Sequence, residues 1–226
     1  MISRSVNAGV GIVARLVFTD ASDGDFCVHR RQDDLVALRN TISASSWTWL
    51  EQVHGSEVVI VGSPGERAGE RADAAVTSAL GCVLAVHTAD CAPVVIVGNG
   101  GVGVAHAGWR GIVSGVIPAT IARLREIGVT DPFTSLLGPC IRPEGYEFGD
   151  GDLEAVAAVV GSSARGVTRD GRPALDMGEA VAQAVSDAAN APLIDLGIDT
   201  AEPGYFSHRT RSDKGRQATV VWLEEV

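Results

Sequence analysis

The stretch that decides the fold is residues 82–111, CVLAVHTADCAPVVIVGNGGVGVAHAGWRG. It contains three short apolar runs, 82–86, 93–97 and 102–107, separated by turn residues. Runs of this length bounded by Gly, Asp and Asn read as β-strands, and Asn99-Gly100-Gly101 is a strong hairpin signal. Polar residues interrupt where a buried strand should end. Thr88-Ala89-Asp90-Cys91 lies between the first two runs, and His106-Ala107-Gly108-Trp109-Arg110-Gly111 closes the third. A helical pattern then spans 112–127, with Gly128 as its C′ glycine.

Working outward, 10–18 reads as a strand. Asp33 and Asp34 are placed to cap a helix whose apolar face is Leu35, Val36, Leu38 and Ile42. Segments 47–53 and 57–61 are β-rich runs meeting around Gly55, and 62–71 is a charged, Gly-rich surface loop. Beyond the centre, 133–137 is a strand leading into the Gly138-Pro139-Cys140 turn. Helices are expected at 152–160 and 178–189, and closing strands at 193–196 and 218–223. Strands and helices interleave, yet several connections are too short for parallel crossovers. The pattern predicts an α/β or α+β fold with mixed β-sheets, in a single domain over 1–226.

The chain has 226 residues, with 28 Asp plus Glu against 18 Lys plus Arg and a net charge of −10. That balance argues against nucleic acid as a partner, which needs a basic face, and against an anionic membrane. The 46% hydrophobic and 20% charged content fits a globular core and excludes disordered and fibrous classes. The longest apolar region, 81–97, contains His87, Asp90 and Pro93, so it is no membrane span. Cys27, Cys82, Cys91 and Cys140 form no CxxC pair and, without a recognisable signal peptide, read as reduced thiols. A cytoplasmic protein is the expectation.

Five histidines and four cysteines limit metal chemistry to one mononuclear site. His54, Cys91 and His106 make a two-imidazole, one-thiolate set. Zinc favours such ligands, and three of them leave a fourth position for water or substrate. They lie 37 and 15 residues apart, which is neither finger nor ribbon spacing, so the site would be assembled from different strands. By strand alternation His106 shares a face with Val102 and Val104. Arg110, at the head of the next helix, offers a forked donor for phosphate or carboxylate. The alternative is a solvated arginine on a glycine-bounded turn.

The segments WLEQVHG (49–55), ADAAVT (72–77), TADC (88–91), HAGWRG (106–111), LGPCI (137–141), YEFGD (146–150), FSHRTR (206–211) and GRQATVVWL (215–223) occur in an order that resembles the YfiH family of laccase-domain proteins. That family was formerly described as multicopper polyphenol oxidases and is associated with purine nucleoside phosphorolysis and adenosine deamination. The resemblance implies two mixed β-sheets packed between helices, and zinc held by His54, Cys91 and His106. It implies adenosine, inosine, guanosine and methylthioadenosine as substrates with inorganic phosphate. Arg110 and Arg209 are the candidate phosphate ligands, and Asp90 is the candidate proton carrier for deamination. His87 reads as core or pocket wall. Where the family carries a Cys-Thr pair, this chain has Asp199-Thr200, and its Arg39-Asn40 reverses the family's Asn-Arg.

Rival readings use the same residues. A cysteine hydrolase would take Cys91 as nucleophile and a histidine as base. A non-enzymatic metal-binding module would hold the ion without turnover. Copper can substitute at His, His, Cys sites and would give a phenol oxidase activity.

Overall fold

A computed structural model describes the backbone of residues 1–226 and every side chain except that of Gln32. In chain order the elements are β1 (Ile2–Asn7), β2 (Ile12–Phe18), α1 (Gln32–Asn40), β3 (Trp47–Glu51), β4 (Val58–Ile60), β5 (Glu70–Arg71) and β6 (Ala74–Thr77). The central group is β7 (Val83–Thr88), β8 (Ala92–Asn99), β9 (Gly101–Ala107), α2 (Trp109–Val113), α3 (Val116–Glu126) and β10 (Thr130–Leu137). Then come α4 (Asp150–Val160), β11 (Arg165–Val167), β12 (Pro173–Leu175), α5 (Met177–Ala189), β13 (Leu193–Asp195), α6 (His208–Arg211) and β14 (Gln217–Glu225).

Two six-stranded sheets result. The first has the order β1-β2-β14-β7-β3-β5 and the second β13-β10-β8-β9-β6-β4, while β11 and β12 form a separate hairpin. Both are mixed. In the first, β3 runs parallel to β7 and β5; in the second, β10 runs parallel to β13 and β6 to β4. The sheets pack face to face through Leu16, Phe18, Leu84, Val86 and Val221 on one side and Val95, Val97, Val102, Val104 and Leu136 on the other. Helices α2 to α5 cover the far face of the second sheet, against Val94, Ile96, Ala105 and Ala107. On the outer face of the first sheet, Phe26, Trp47, Val83 and Val220 cluster with Leu38 of α1. The expected single mixed α/β domain, two sheets between helices, is what forms.

Some expectations need correction. The strand 83–88 does not continue the β8–β9 ladder but lies in the other sheet, and β3 and β4 part into different sheets rather than meeting around Gly55. The helix expected over 112–127 is broken into α2 and α3 at Gly115, whose φ is +83°. Asp33 and Asp34 lie inside the first turn of α1, where they favour the positive helix end; the N-cap position is Arg31.

These divisions position the site. The chain passes from the first sheet to the second three times: between β3 and β4, between β5 and β6, and between β7 and β8. His54, Asp73 and Cys91 lie in those three crossovers. His106, near the end of β9, meets them at the seam.

Candidate metal centre

Asp73, fully buried, organises the seam. Its carboxylate accepts backbone N–H bonds from Val53 (3.3 Å), His54 (2.9 Å) and Gly55 (2.7 Å). These bonds hold the His54 loop in a tight turn in which His54 itself takes φ +61°. The same carboxylate accepts from Nδ1 of His106 at 2.8 Å. A carboxylate behind a histidine fixes the ring so that Nε2 is the atom left for a metal. Cys91 Sγ lies 3.9 Å from His54 Nε2. The ligand atoms of His54, Cys91 and His106 all fall within 4.8 Å of one another, the arrangement of a metal-binding site. Gly108 packs against it: a Cβ there would come within 2.9 Å of His54 Cδ2 and 3.1 Å of Cys91 Sγ. A side chain at that position would push His54 and Cys91 out of place.

The electrostatics suit a cation. Burial raises the Cys91 thiol, but His106 and His54 outweigh it and bring the pKa down to about 6. Burial works against charge on His106 as well, yet Cys91 and Asp73 hold its proton on, to about 9. The two shifts run in the direction that favours a thiolate beside a protonated imidazole. Two imidazoles and a thiolate fit zinc by donor type. This is the one such group among the described residues.

The three ligands line a cavity of about 410 Å³ whose wall also includes His29, Gln52, His87, His208 and Arg216. Gln52 clamps the backbone of His87 on both sides: its amide donates to the His87 carbonyl at 2.8 Å and its carbonyl accepts the His87 N–H at 2.7 Å. Burial, with Arg39, His106 and Arg216 adding to it, drives the His87 imidazole down to about 3. His87 is a neutral wall residue, as expected of it.

Asp90 takes φ +96° and is buried. Its Oδ1 accepts from the Thr200 hydroxyl at 2.8 Å and its Oδ2 from the Arg209 N–H at 2.6 Å, so the carboxylate ties the Cys91 turn to α6. Arg209 lays its guanidinium 4.5 Å from the Tyr146 ring centroid and donates to the Glu147 carbonyl at 2.7 Å. Arg110 is exposed and stacks 4.3 Å from the Trp109 centroid. Trp109, Phe148 and Tyr146 join edge to face, so the two arginines stand at the ends of one aromatic chain. Neither belongs to the wall of the cavity that holds the ligand trio. Asp199 accepts the N–H groups of Arg142 (3.2 Å) and Ala201 (2.9 Å) and holds a loop. Sequence reasoning missed Asp73 and the wall residues Arg216, His208 and His29. The only signal for Asp73 was a carboxylate set within the apolar run 72–77.

Fold and site define a mixed α/β protein with a His-Cys-His group that could hold a metal ion at the junction of two sheets. The model of a family described as multi-copper polyphenol oxidoreductase laccase matches residues 17–224, and the chain belongs to that family. It is 36% identical over 220 residues to a purine nucleoside phosphorylase of Xylella fastidiosa, covering 90% of this chain and 81% of that one. It is 34% identical to purine nucleoside phosphorylase YfiH of Escherichia coli over 181 residues, 77% of this chain and 73% of that one. In fold it resembles YlmD from Geobacillus stearothermophilus, with a TM-score of 0.80, 25% identity, and 100% of this chain and 98% of that one covered. A Neisseria meningitidis protein of known structure gives 0.79 at 22% identity, over 98% and 99% of the two chains.

Proposed function

We propose that this protein is a zinc-dependent purine nucleoside phosphorylase that also deaminates adenosine. The observation that carries the reading is the His54–Cys91–His106 group set in the wall of a cavity of about 410 Å³. The phosphorylase names of relatives at 34–36% identity support it. In phosphorolysis a phosphate oxygen forms a bond to the anomeric carbon as the bond from that carbon to the purine breaks. The electron pair leaves with the base, which takes up a proton, and ribose-1-phosphate results. The ribose is cation-like at the transition state, so the site must hold an anion close and orient it. Arg110 and Arg209, at the ends of the aromatic chain, carry positive charge on a protein of net −10 and would draw the anion inward. Zinc on His54, Cys91 and His106 would supply Lewis acidity and an activated water for deamination. Gln52 and Asp73 hold the wall and the ligands in place.

Asp90 is the proposed proton carrier for deamination. Its bonds to Thr200 and Arg209 favour the rival role, in which it positions the Cys91 turn. The test is zinc-loaded protein incubated with adenosine and phosphate, the products resolved into adenine, inosine and hypoxanthine. Adenine and inosine should both form, adenine only when phosphate is present. Asp90→Asn should lose inosine formation with zinc retained if Asp90 carries the proton; loss of zinc and both products together would make it a positioning residue. No phosphate-dependent product from any purine nucleoside would refute the proposal.

A second reading has one observation in its favour. Cys91 Sγ lies 3.9 Å from His54 Nε2, and the neighbouring imidazoles lower the thiol's pKa, the pairing a cysteine hydrolase uses. Iodoacetamide separates the two: zinc loading should protect Cys91 from alkylation, and rapid alkylation of protein purified without metal would favour the hydrolase.

A further inference from the structure

Arg216 is held by its backbone and by one end of its guanidinium. Its N–H donates to Asp25 Oδ1 at 2.9 Å, and Nη1 donates to the carbonyls of Asp213 (3.3 Å), Lys214 (3.2 Å) and Gly215 (2.8 Å). Among the described residues, Nε and Nη2 have no protein acceptor, and no carboxylate pairs with the guanidinium. They are not sealed in the interior either, since the residue is half-buried and forms part of the wall of the cavity that contains the metal ligands. Nε and Nη2 make up the edge that meets a phosphate or carboxylate with two parallel hydrogen bonds.

The surroundings favour an anion. Glu51 is the single acid in the cavity wall, and its exposed carboxylate faces Arg71 at 3.8 Å. His29 and His208 share the wall with Arg216. Arg39, buried with Nε and Nη2 unpartnered, adds positive charge behind His87 with no acid to balance it. An arginine held by its backbone and Nη1, with two donors left without a protein acceptor and a place in the wall of a cavity nearly free of carboxylates, is preorganised for an anion.

We infer that Arg216 seats the phosphate co-substrate, through its Nε and Nη2, in the same cavity as the metal ligands. This rests on the phosphorylase reading above and adds the residue that fixes the nucleophile. Arg110 and Arg209 then act from outside the cavity.

The experiment measures phosphate binding without turnover. Inorganic phosphate is titrated into zinc-loaded wild type, Arg216→Lys and Arg216→Gln by calorimetry, with melting temperatures recorded for each. Lysine keeps the charge and can still donate to the 213–215 carbonyls, but loses the fork. Arg216→Lys should weaken phosphate binding about tenfold or more, as expected for losing a charge-assisted bond. It should raise the phosphate KM in parallel and leave the nucleoside KM within about twofold. Phenylglyoxal modification of Arg216 in the wild-type protein, followed by peptide mass spectrometry, should be slowed by phosphate, a readout that needs no variant. Equal phosphate affinity in wild type and folded variants, or no protection of Arg216, would overturn the inference while leaving the phosphorylase reading intact. Wild type that neither binds phosphate nor cleaves nucleosides with it would overturn both.

Discussion

Asp73 accepts four hydrogen bonds, three from the His54 turn and one from His106, so one carboxylate sets two of the three ligands. Asp73→Asn keeps the size but removes the charge that favours the metal-bound form of His106. Zinc affinity, read by competition with a chelating dye, should fall about 10- to 100-fold, the usual effect of losing such a partner. The ligands themselves were legible because His and Cys declare their chemistry by type. Asp73 was not, because its role exists only once three crossovers meet. His87 gives a second expectation at this scale. Its folded pKa, about 3, lies below the unfolded value near 6.5. The unfolded chain therefore binds the extra proton between those values. Stability from this group is full above pH 6.5 and is lost as pH falls toward 3, by an amount on the order of a few kcal/mol. Denaturation midpoints from pH 7 to 4 should drop less steeply in His87→Gln than in wild type; equal slopes would count against it.

Among the elements, the strands at the centre were legible in position but not in partnership. In β8, Ala92, Val94 and Ile96 face the helices while Val95 and Val97 face the other sheet. Strands buried on both faces lose the alternation that would say which sheet they belong to. That is why β7 read as part of one ladder with β8 and β9. Edge strand β1 went unread for the opposite reason: in ISRSVN only Ile2 and Val6 are apolar, and both are only partly buried. The α2–α3 break was hidden because Ile112, Val116 and Ile117 keep a helical spacing across it. Gly115 makes the break with φ +83°, and a Cβ there would meet only Pro118 Cγ at 3.5 Å, an ordinary contact. The cost of Gly115→Ala is thus conformational, about 1–2 kcal/mol of stability, and denaturant titration should show it.

Across the whole molecule, a metal held by His54, Cys91 and His106 would tie the two sheets to each other, since His54 and Cys91 lie in crossovers between them and His106 belongs to the second. An ion bound only by the folded state should raise the melting temperature, with a stabilisation of roughly 4 kcal/mol at a thousandfold excess over its Kd. EDTA should reverse the gain in wild type and have no effect on Cys91→Ser. The place of β14 leads further. It is the last strand in sequence, yet it lies between β2 and β7 in the middle of its sheet, bonded on both sides. A nascent chain that has emerged from the ribosome only as far as α6 has two open strand edges facing an empty slot, the condition that invites pairing with other chains. Arg216 directly precedes β14, so the cavity gains its arginine in the same late step that closes the sheet. During synthesis, competence to bind phosphate and protection from aggregation would arrive together.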